Sequence, residues 1–555
     1  MRLRVIGIAG LAAMAVSVGC STHYTPSDFH SPDRAQQFNG LSSHARSVTT
    51  DSVEAQEYFN QGLNWMYAFN HDEAIRSFLR AAELDPDCAM AWWGVSICHG
   101  PNYNDPIMTP ERNEAAWTAL QEAIRQLDNE TEAERDLIEA LQARYDKQWR
   151  EDRTDLEQAY ADAMADVWAA YPNDSDIGTL YAESLMVQMP WMLYSLEQEP
   201  SEDTPTIVAT LERVMAMDPG NPGANHLYIH AVEPSADPDR GLPAARRLND
   251  MAPASGHLLH MPSHLYVKTG HWDEAVSQNK KAMRSDEMYR AKSPDQIGQH
   301  MYMVHNAHML AYAAMMTGRE QDAMEAARSM WVDIPVEIQP MVAPYVDMWM
   351  CSVYDVQKRF GRWEALIAEE APPAYFPVTV AVWHAHRAIA YAALNDFSSA
   401  EAEYELFVEA KNALPDDHIF GLDSAHRILE ISDLFIQGEI ALQQGRWSEA
   451  ASLLEGAAAI EDELSYGEPP QWLQPVRHTL GAVYLKSGQY EQAERVYRED
   501  LAKWRDNGWS LYGLYRALEM QGYDAEAAAV RREYERIWAH ADAPTQTSCK
   551  CIPTT

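Results

Sequence analysis

Cysteine is scarce in this chain: six in 555 residues, too few for a disulfide framework. Basic residues are scarce as well. The 43 Lys and Arg face 83 Asp and Glu, a formal net charge of −40 at pH 7. So negative a surface repels phosphate backbones and anionic lipid headgroups, and it favours cations and basic segments. Nucleic acid is therefore not expected as a partner. No apolar run after the first twenty residues is long enough to span a bilayer, so membrane contact is expected only through an N-terminal anchor. Alternation at the strand period is missing over any useful length. Also missing are a phosphate-binding glycine loop, a G-x-S-x-G elbow and an H-E-x-x-H helix, so no motif names a reaction. What remains is ordinary for a folded protein, with 46% apolar and 23% charged residues.

The N-terminus has two arginines, Arg2 and Arg4, then a largely apolar run from Val5 to Val18, then Gly19 and Cys20. This order reads as a signal peptide over 1–19, too short for a comfortable membrane span. A cysteine directly after a small residue resembles the lipobox of bacterial lipoproteins, with Ser17 where the family usually has Leu. The resemblance implies that Cys20 carries lipid as the first mature residue, which would place the protein in the cell envelope on an outer-membrane anchor. Ordinary secretion after cleavage at Gly19 is the alternative. Residues 20–52, rich in Ser, Thr, His and Asp, read as a flexible tether.

From Val53 helix formers dominate, and the sequence repeats itself. Tyr58, Gly62, Trp65, Ala74, Phe78, Ala81 and Pro86 fall at positions 4, 8, 11, 20, 24, 27 and 32 of a 34-residue frame beginning at Ala55. The frame recurs in Gly438, Ala441, Gly445, Ala450 and Ala457, and again in Gly481, Tyr484, Gly488, Ala493 and Tyr497, with Gly522 and Ala527 34 residues after Gly488 and Ala493. This pattern resembles the tetratricopeptide repeat, a helix–turn–helix unit with small residues where its helices cross. The resemblance implies an all-α, right-handed helical solenoid of about twelve helix pairs over 53–541. A polar tail containing Cys549 and Cys551 occupies 542–555.

The frame also serves as a ruler. In this repeat family, positions 2, 5, 9 and 12 of each first helix line the concave groove, and they share one helix face. A unit starting at Pro222 places His226, His230 and Glu233 there. The unit from Gly256 places His257, His260 and His264, and the unit from Val304 places His305, His308, Tyr312 and Met315. Seven of these twelve positions are histidine, whereas 20 histidines in 555 residues would put fewer than one there by chance. Imidazoles at i, i+4 can share an ion, and a mostly histidine set with one carboxylate suits Zn, Cu or Fe rather than Mg or Ca. The expected site is thus a groove binding one or two transition-metal ions through His226, His230, Glu233, His257, His260, His264, His305 and His308, with Glu233 also a candidate for proton transfer. Two other readings stand beside it: a metal-free groove that holds a partner's peptide segment, and a pH switch of crowded imidazoles.

Other histidines, among them His71, His300, His384, His386 and His478, read as ordinary hydrogen-bonded side chains. Glu183 and Met186 flank the first histidine helix and read as packing before function. Cys88 and Cys98 read as a disulfide or as two buried thiols, and Cys351 has no evident partner. Cys549 and Cys551 read as a soft-metal pair, a disulfide or an exposed tail without a role.

Overall fold

The computed structural model describes residues 35–294, 298–544 and 547–552. The expected signal peptide and Cys20 lie outside them. The fold is all-α, an antiparallel stacking of helix pairs of the tetratricopeptide type. Among the described residues, paired strand is confined to the hairpin Ile419–Phe420 with Asp423–Ser424 and an isolated bridge between Tyr194 and Pro200. None of the described helices is long and apolar enough to cross a membrane. The chain divides into two compact units, Met1–Leu193 with Ser201–Leu227, and Tyr194–Pro200 with Tyr228–Thr555.

Among the described residues, the helices of unit 1 begin with α1 (Val53–Tyr67), α2 (His71–Leu84) and α3 (Ala89–His99). Ser52 caps α1 by accepting from the Ala55 amide at 3.1 Å, and Asn70 caps α2 through the Glu73 amide at 3.2 Å. The 34-residue frame has a steric cause. A Cβ added at Gly62 of α1 or at Gly94 of α3 would lie 2.7 or 2.6 Å from the ring of Phe78, so one aromatic of α2 is clamped by glycines of two consecutive units. The C-terminal repeats use the same device, with Gly481 and Gly513 on either side of Tyr497.

Between paired helices the chain turns through one left-handed residue, a position filled by Phe69, Gly270, Gly318, Gly361, Asn395, Gly445, Gly488 and Gly522. The residue that follows donates back into the helix, as in Asn70 to Trp65 at 3.0 Å, Arg446 to Ala441 at 2.9 Å and Gln489 to Tyr484 at 2.8 Å. This is the Schellman closure, for which glycine carries no Cβ penalty.

One expectation is corrected here. The stretch 36–50, read as part of a flexible tether, is strapped to unit 1: His44 meets Asp176 at 2.7 Å, Arg46 meets Asp174 at 2.8 Å, and Thr49 binds Glu134 through its amide and hydroxyl, both at 2.7 Å. Its polar residues find acidic partners that are buried (Asp176, Glu134) or half-buried (Asp174), which composition alone does not reveal. Of the two readings of Cys88 and Cys98, the structure has the second, two buried free thiols.

The second unit carries the elements that matter below. The unit boundary falls inside α4 (Pro222–Val232), after Leu227. There follow α5 (Gly256–His260), α6 (Pro262–Lys268), α7 (Trp272–Lys292), α8 (His300–Met316), α9 (Ser352–Phe360), α10 (Ala425–Gln443), α11 (Val476–Lys486), α12 (Tyr490–Lys503) and α13 (Gly508–Gln521). α5 and α6 occupy one helix position of the repeat. Met261 between them keeps helical dihedrals, φ −49° and ψ −39°, so the interruption is the kink expected of Pro262, which lacks an N–H.

Candidate metal centre

The second unit gathers histidine from three helices. His260 ends α5, His264 lies on the first turn of α6, and His305 lies on α8; their rings are mutually adjacent, with centroids 4.8 Å apart for His260 and His264, 4.6 Å for His260 and His305, and 5.7 Å for His264 and His305. One nitrogen from each can be chosen so that all three lie within 4.8 Å of one another. His260 and His264 are buried and His305 is half-buried.

The hydrogen bonds behind these rings fix which nitrogen faces inward. Asn279 of α7 donates its amide to the Ala275 carbonyl at 2.8 Å, so its oxygen turns to His260 and accepts from Nδ1 at 2.6 Å. Glu233, just past the end of α4, accepts from His264 Nδ1 at 2.7 Å and from His230 Nδ1 at 3.2 Å. With both Nδ1 positions protonated and held, neutral His260 and His264 present lone pairs on Nε2, and these two atoms stand 2.8 Å apart. Two lone pairs at that distance require a cation between them, either a proton or a metal ion. An imidazole that ligates a metal while its other nitrogen donates to a carboxylate or amide oxygen is the arrangement metal sites use to fix the tautomer.

Charge follows the same geometry. Burial, with His305 and His264 nearby, holds His260 well below 6.5, and burial with His264 and His308 does the same to His305. Burial also opposes charge on His264, but Glu233 outweighs it and raises that pKa. Glu233 itself is pulled below the usual carboxylate range: burial acts to raise it, and His264 and His230 prevail.

A sequence profile of the tetratricopeptide repeat matches residues 55–88, and a second profile of the same repeat matches 478–508. These stretches are tetratricopeptide repeats. No curated protein matches the chain. Among solved structures, the human IFIT1 dimer with m7Gppp-AAAA is 13% identical over 89% of this chain and 92% of that one, with a TM-score of 0.32. The APC/C hetero-tetramer Cut9-Hcn1 is 12% identical over 88% and 74%, with a TM-score of 0.29. Likenesses this distant bring no ligand and no partner to the chain.

In the register of the tetratricopeptide repeat, the remaining expected residues fall as follows. His230 and Glu233 form a second possible ligand set with His264, through the nitrogen of His264 that faces away from His260. His257 stacks on His260 at 6.0 Å and meets the edge of Tyr302 at 4.7 Å. His226 belongs to unit 1, where its Nδ1 bonds the Tyr67 carbonyl at 2.7 Å and its ring lies 4.4 Å from Phe69. His308 joins neither of the two ligand sets described here; its Nδ1 is buried without a hydrogen-bond partner, and burial pushes its pKa down to about 4. His71, His300, His384, His386 and His478 each bond a carbonyl or carboxylate.

Two expectations change with this geometry. Six of the seven histidines are buried and His305 is half-buried, rather than all lining an open groove, and a side chain outside the ruler covers part of the cluster: Trp349 stands 6.4 Å from both His305 and His308. Glu233 is also poorly suited to proton transfer, since both its oxygens accept from imidazole and its acidity is strengthened. Glu468, in the loop before α11, fits that part better. It is half-buried near Lys268 and His264, one carboxyl oxygen is buried without a hydrogen-bond partner, and loss of solvent around it pushes its pKa up to about 7. Neither Asn279 nor Glu468 lies on a first-helix groove position, so the repeat ruler passes over both.

Proposed function

We propose that this chain is a cell-envelope tetratricopeptide-repeat protein whose second unit holds one transition-metal ion on His260, His264 and His305. The observation that carries this reading is the pair of inward Nε2 lone pairs at 2.8 Å, each fixed from behind by an acceptor on Nδ1. Zinc, copper or iron fits a three-imidazole set, and such an ion would supply Lewis-acid or redox chemistry there. The chain's own residues then have separate tasks. Asn279 and Glu233 orient the imidazoles, Glu468 holds a proton near neutral pH, and Lys268, with its ammonium 5.3 and 5.0 Å from the Tyr466 and Trp504 rings, balances the acidic loop. A net charge of −40 raises the local cation concentration and disfavours nucleic acid.

One observation favours a second reading, a scaffold that holds peptide. Residues 547–552 are themselves seated on α10, α11 and α12, as a bound peptide would be. For localisation we propose lipidation at Cys20. Labelled palmitate should enter the parent and not Cys20→Ser; a parent that takes up no label is instead secreted.

The metal reading is tested in protein carrying Cys549→Ser and Cys551→Ser, stripped with chelator and titrated with zinc, copper or iron against a competing chelator. One equivalent should bind, and adding His260→Ala with His264→Ala should weaken binding by at least about 100-fold, since two of three ligands are lost. Equal affinity in the two proteins would move the site elsewhere. No uptake of any of the three ions would promote the peptide scaffold.

A further inference from the structure

The segment 547–552 is built into the second unit rather than trailing from it. Ser548, Cys549 and Cys551 are 1, 4 and 4% exposed. Ser548 Oγ donates to the His478 carbonyl at 2.9 Å and shares a hydrogen bond of 2.6 Å with the Tyr497 hydroxyl. Thr479 Oγ1 lies 3.3 Å from Cys549 Sγ, and the Gln443 amide donates to the Cys551 carbonyl. Such anchoring sets the two sulfurs, joined here as a disulfide, against Glu439 of α10. Cys549 Sγ is 3.9 Å from Glu439 Oε1, and ligand atoms of Glu439, Cys549 and Cys551 all lie within 4.8 Å of one another.

Glu439 points to what is missing. It is 1% exposed, and its Oε2 has no hydrogen-bond partner. A buried carboxylate oxygen without a donor is costly, and the nearby cation does not relieve it by contact. Lys358 of α9 instead places its ammonium over the Phe435 and Trp472 rings, 4.6 and 5.1 Å from their centroids. Two sulfurs and one unsatisfied carboxylate oxygen make a donor set for a thiophilic divalent ion, and not for Mg or Ca.

We propose that, once the disulfide is reduced, Cys549, Cys551 and Glu439 form a second metal site of the zinc class, so that the redox state of the C-terminal segment decides whether it holds metal. The balance is simple. An external dithiol passes two electrons and two protons to the Cys549–Cys551 bond and becomes a disulfide, leaving two thiols here. Zinc then displaces both thiol protons to solvent. In the oxidised form the sulfurs carry no thiolate charge and the site is closed to metal. This site shares no ligand with the imidazole cluster and stands or falls without it.

The test uses the full chain carrying His260→Ala and His264→Ala, so that the imidazole site cannot answer for this one. Reduced by a phosphine, stripped of metal and titrated with zinc against a chromogenic chelator, it should bind one equivalent. Oxidation with diamide, which takes up the two electrons and two protons, should weaken binding by about two orders of magnitude or more, and so should Cys549→Ser with Cys551→Ser. Glu439→Gln should weaken it by about tenfold. Cobalt in place of zinc should show thiolate-to-cobalt charge-transfer absorption. The proposal is overturned if the reduced protein binds no zinc, if the oxidised protein binds equally well, or if the cobalt form lacks that absorption.

Discussion

Replacing Glu233 by Gln separates the shape of the carboxylate from its charge and so probes how the cluster is held. In the parent, Glu233 accepts two ring N–H groups, from His264 at 2.7 Å and from His230 at 3.2 Å. Glutamine has one carbonyl oxygen and one amino group. It can accept from one imidazole but must confront the other with a donor, and that ring must then move its proton to Nε2. If the ring is His264, its inward lone pair is lost to the metal. If it is His230, His264 keeps its tautomer but loses the carboxylate charge that makes it basic. Either loss belongs to the class worth about 10–100-fold in metal affinity, or about 1.4–2.7 kcal/mol at 1.36 kcal/mol per decade. Competition against a chelator at pH 7.5, with circular dichroism as a check on folding, measures the change. An affinity within about twofold of the parent would refute the orienting role of Glu233.

Three further outcomes follow from buried charge and backbone geometry. Because Glu233 outweighs burial and raises the pKa of His264, the apparent metal affinity should start to fall on acidification at a higher pH than the depressed His260 and His305 alone would set, and Glu233→Gln, though it binds more weakly, should move that onset to lower pH; an onset governed only by His260 and His305 in the parent would contradict this. Asp286 accepts from Asn306 at 2.7 Å, and burial pushes its carboxyl up to about 7. The unfolded chain therefore loses this proton near pH 4 while the folded chain keeps it to about 7, and stability falls across that window by up to about 4 kcal/mol. Asp286→Asn should flatten that fall in denaturant titrations at pH 5 and pH 8, and an unchanged pH slope would count against it. Asn395 is exposed with φ 63°, in the turn position that glycine fills in most of the repeats, so Asn395→Gly should raise stability by about 0.5 kcal/mol; a loss in the melting experiment would contradict the turn argument.

The repeat was legible because its steric causes are written in residue types. Gly62, Phe78, Gly481 and Tyr497 stand at fixed positions since one ring must fit between two helices, and the turn glycines mark left-handed residues. The same ruler placed His260, His264 and His305 on neighbouring helix faces, and the proline kink at 262 leaves the first two within reach of each other. What the ruler could not read lies off the first helices. Asn279 sits on the helix behind the cluster, Glu468 on a loop, and Trp349 on a neighbouring helix that closes over the rings. None of these has a periodic signature, and together they turn an expected open groove into a buried centre. The segments 36–50 and 547–552 escaped for a related reason. Short polar stretches look solvated in composition, and only the partners supplied by Asp176, Glu134, Tyr497 and His478 make them part of the fold.

The central claim is an ion on His260, His264 and His305, and metal content tests it most directly. Protein carrying Cys549→Ser and Cys551→Ser, purified without an affinity tag and without added metal, should contain zinc, copper or iron at about one ion per chain by elemental analysis. Adding His260→Ala with His264→Ala should remove that metal while the helical spectrum is unchanged. Substoichiometric metal in the parent, persisting after reconstitution with each of the three ions, would contradict the account.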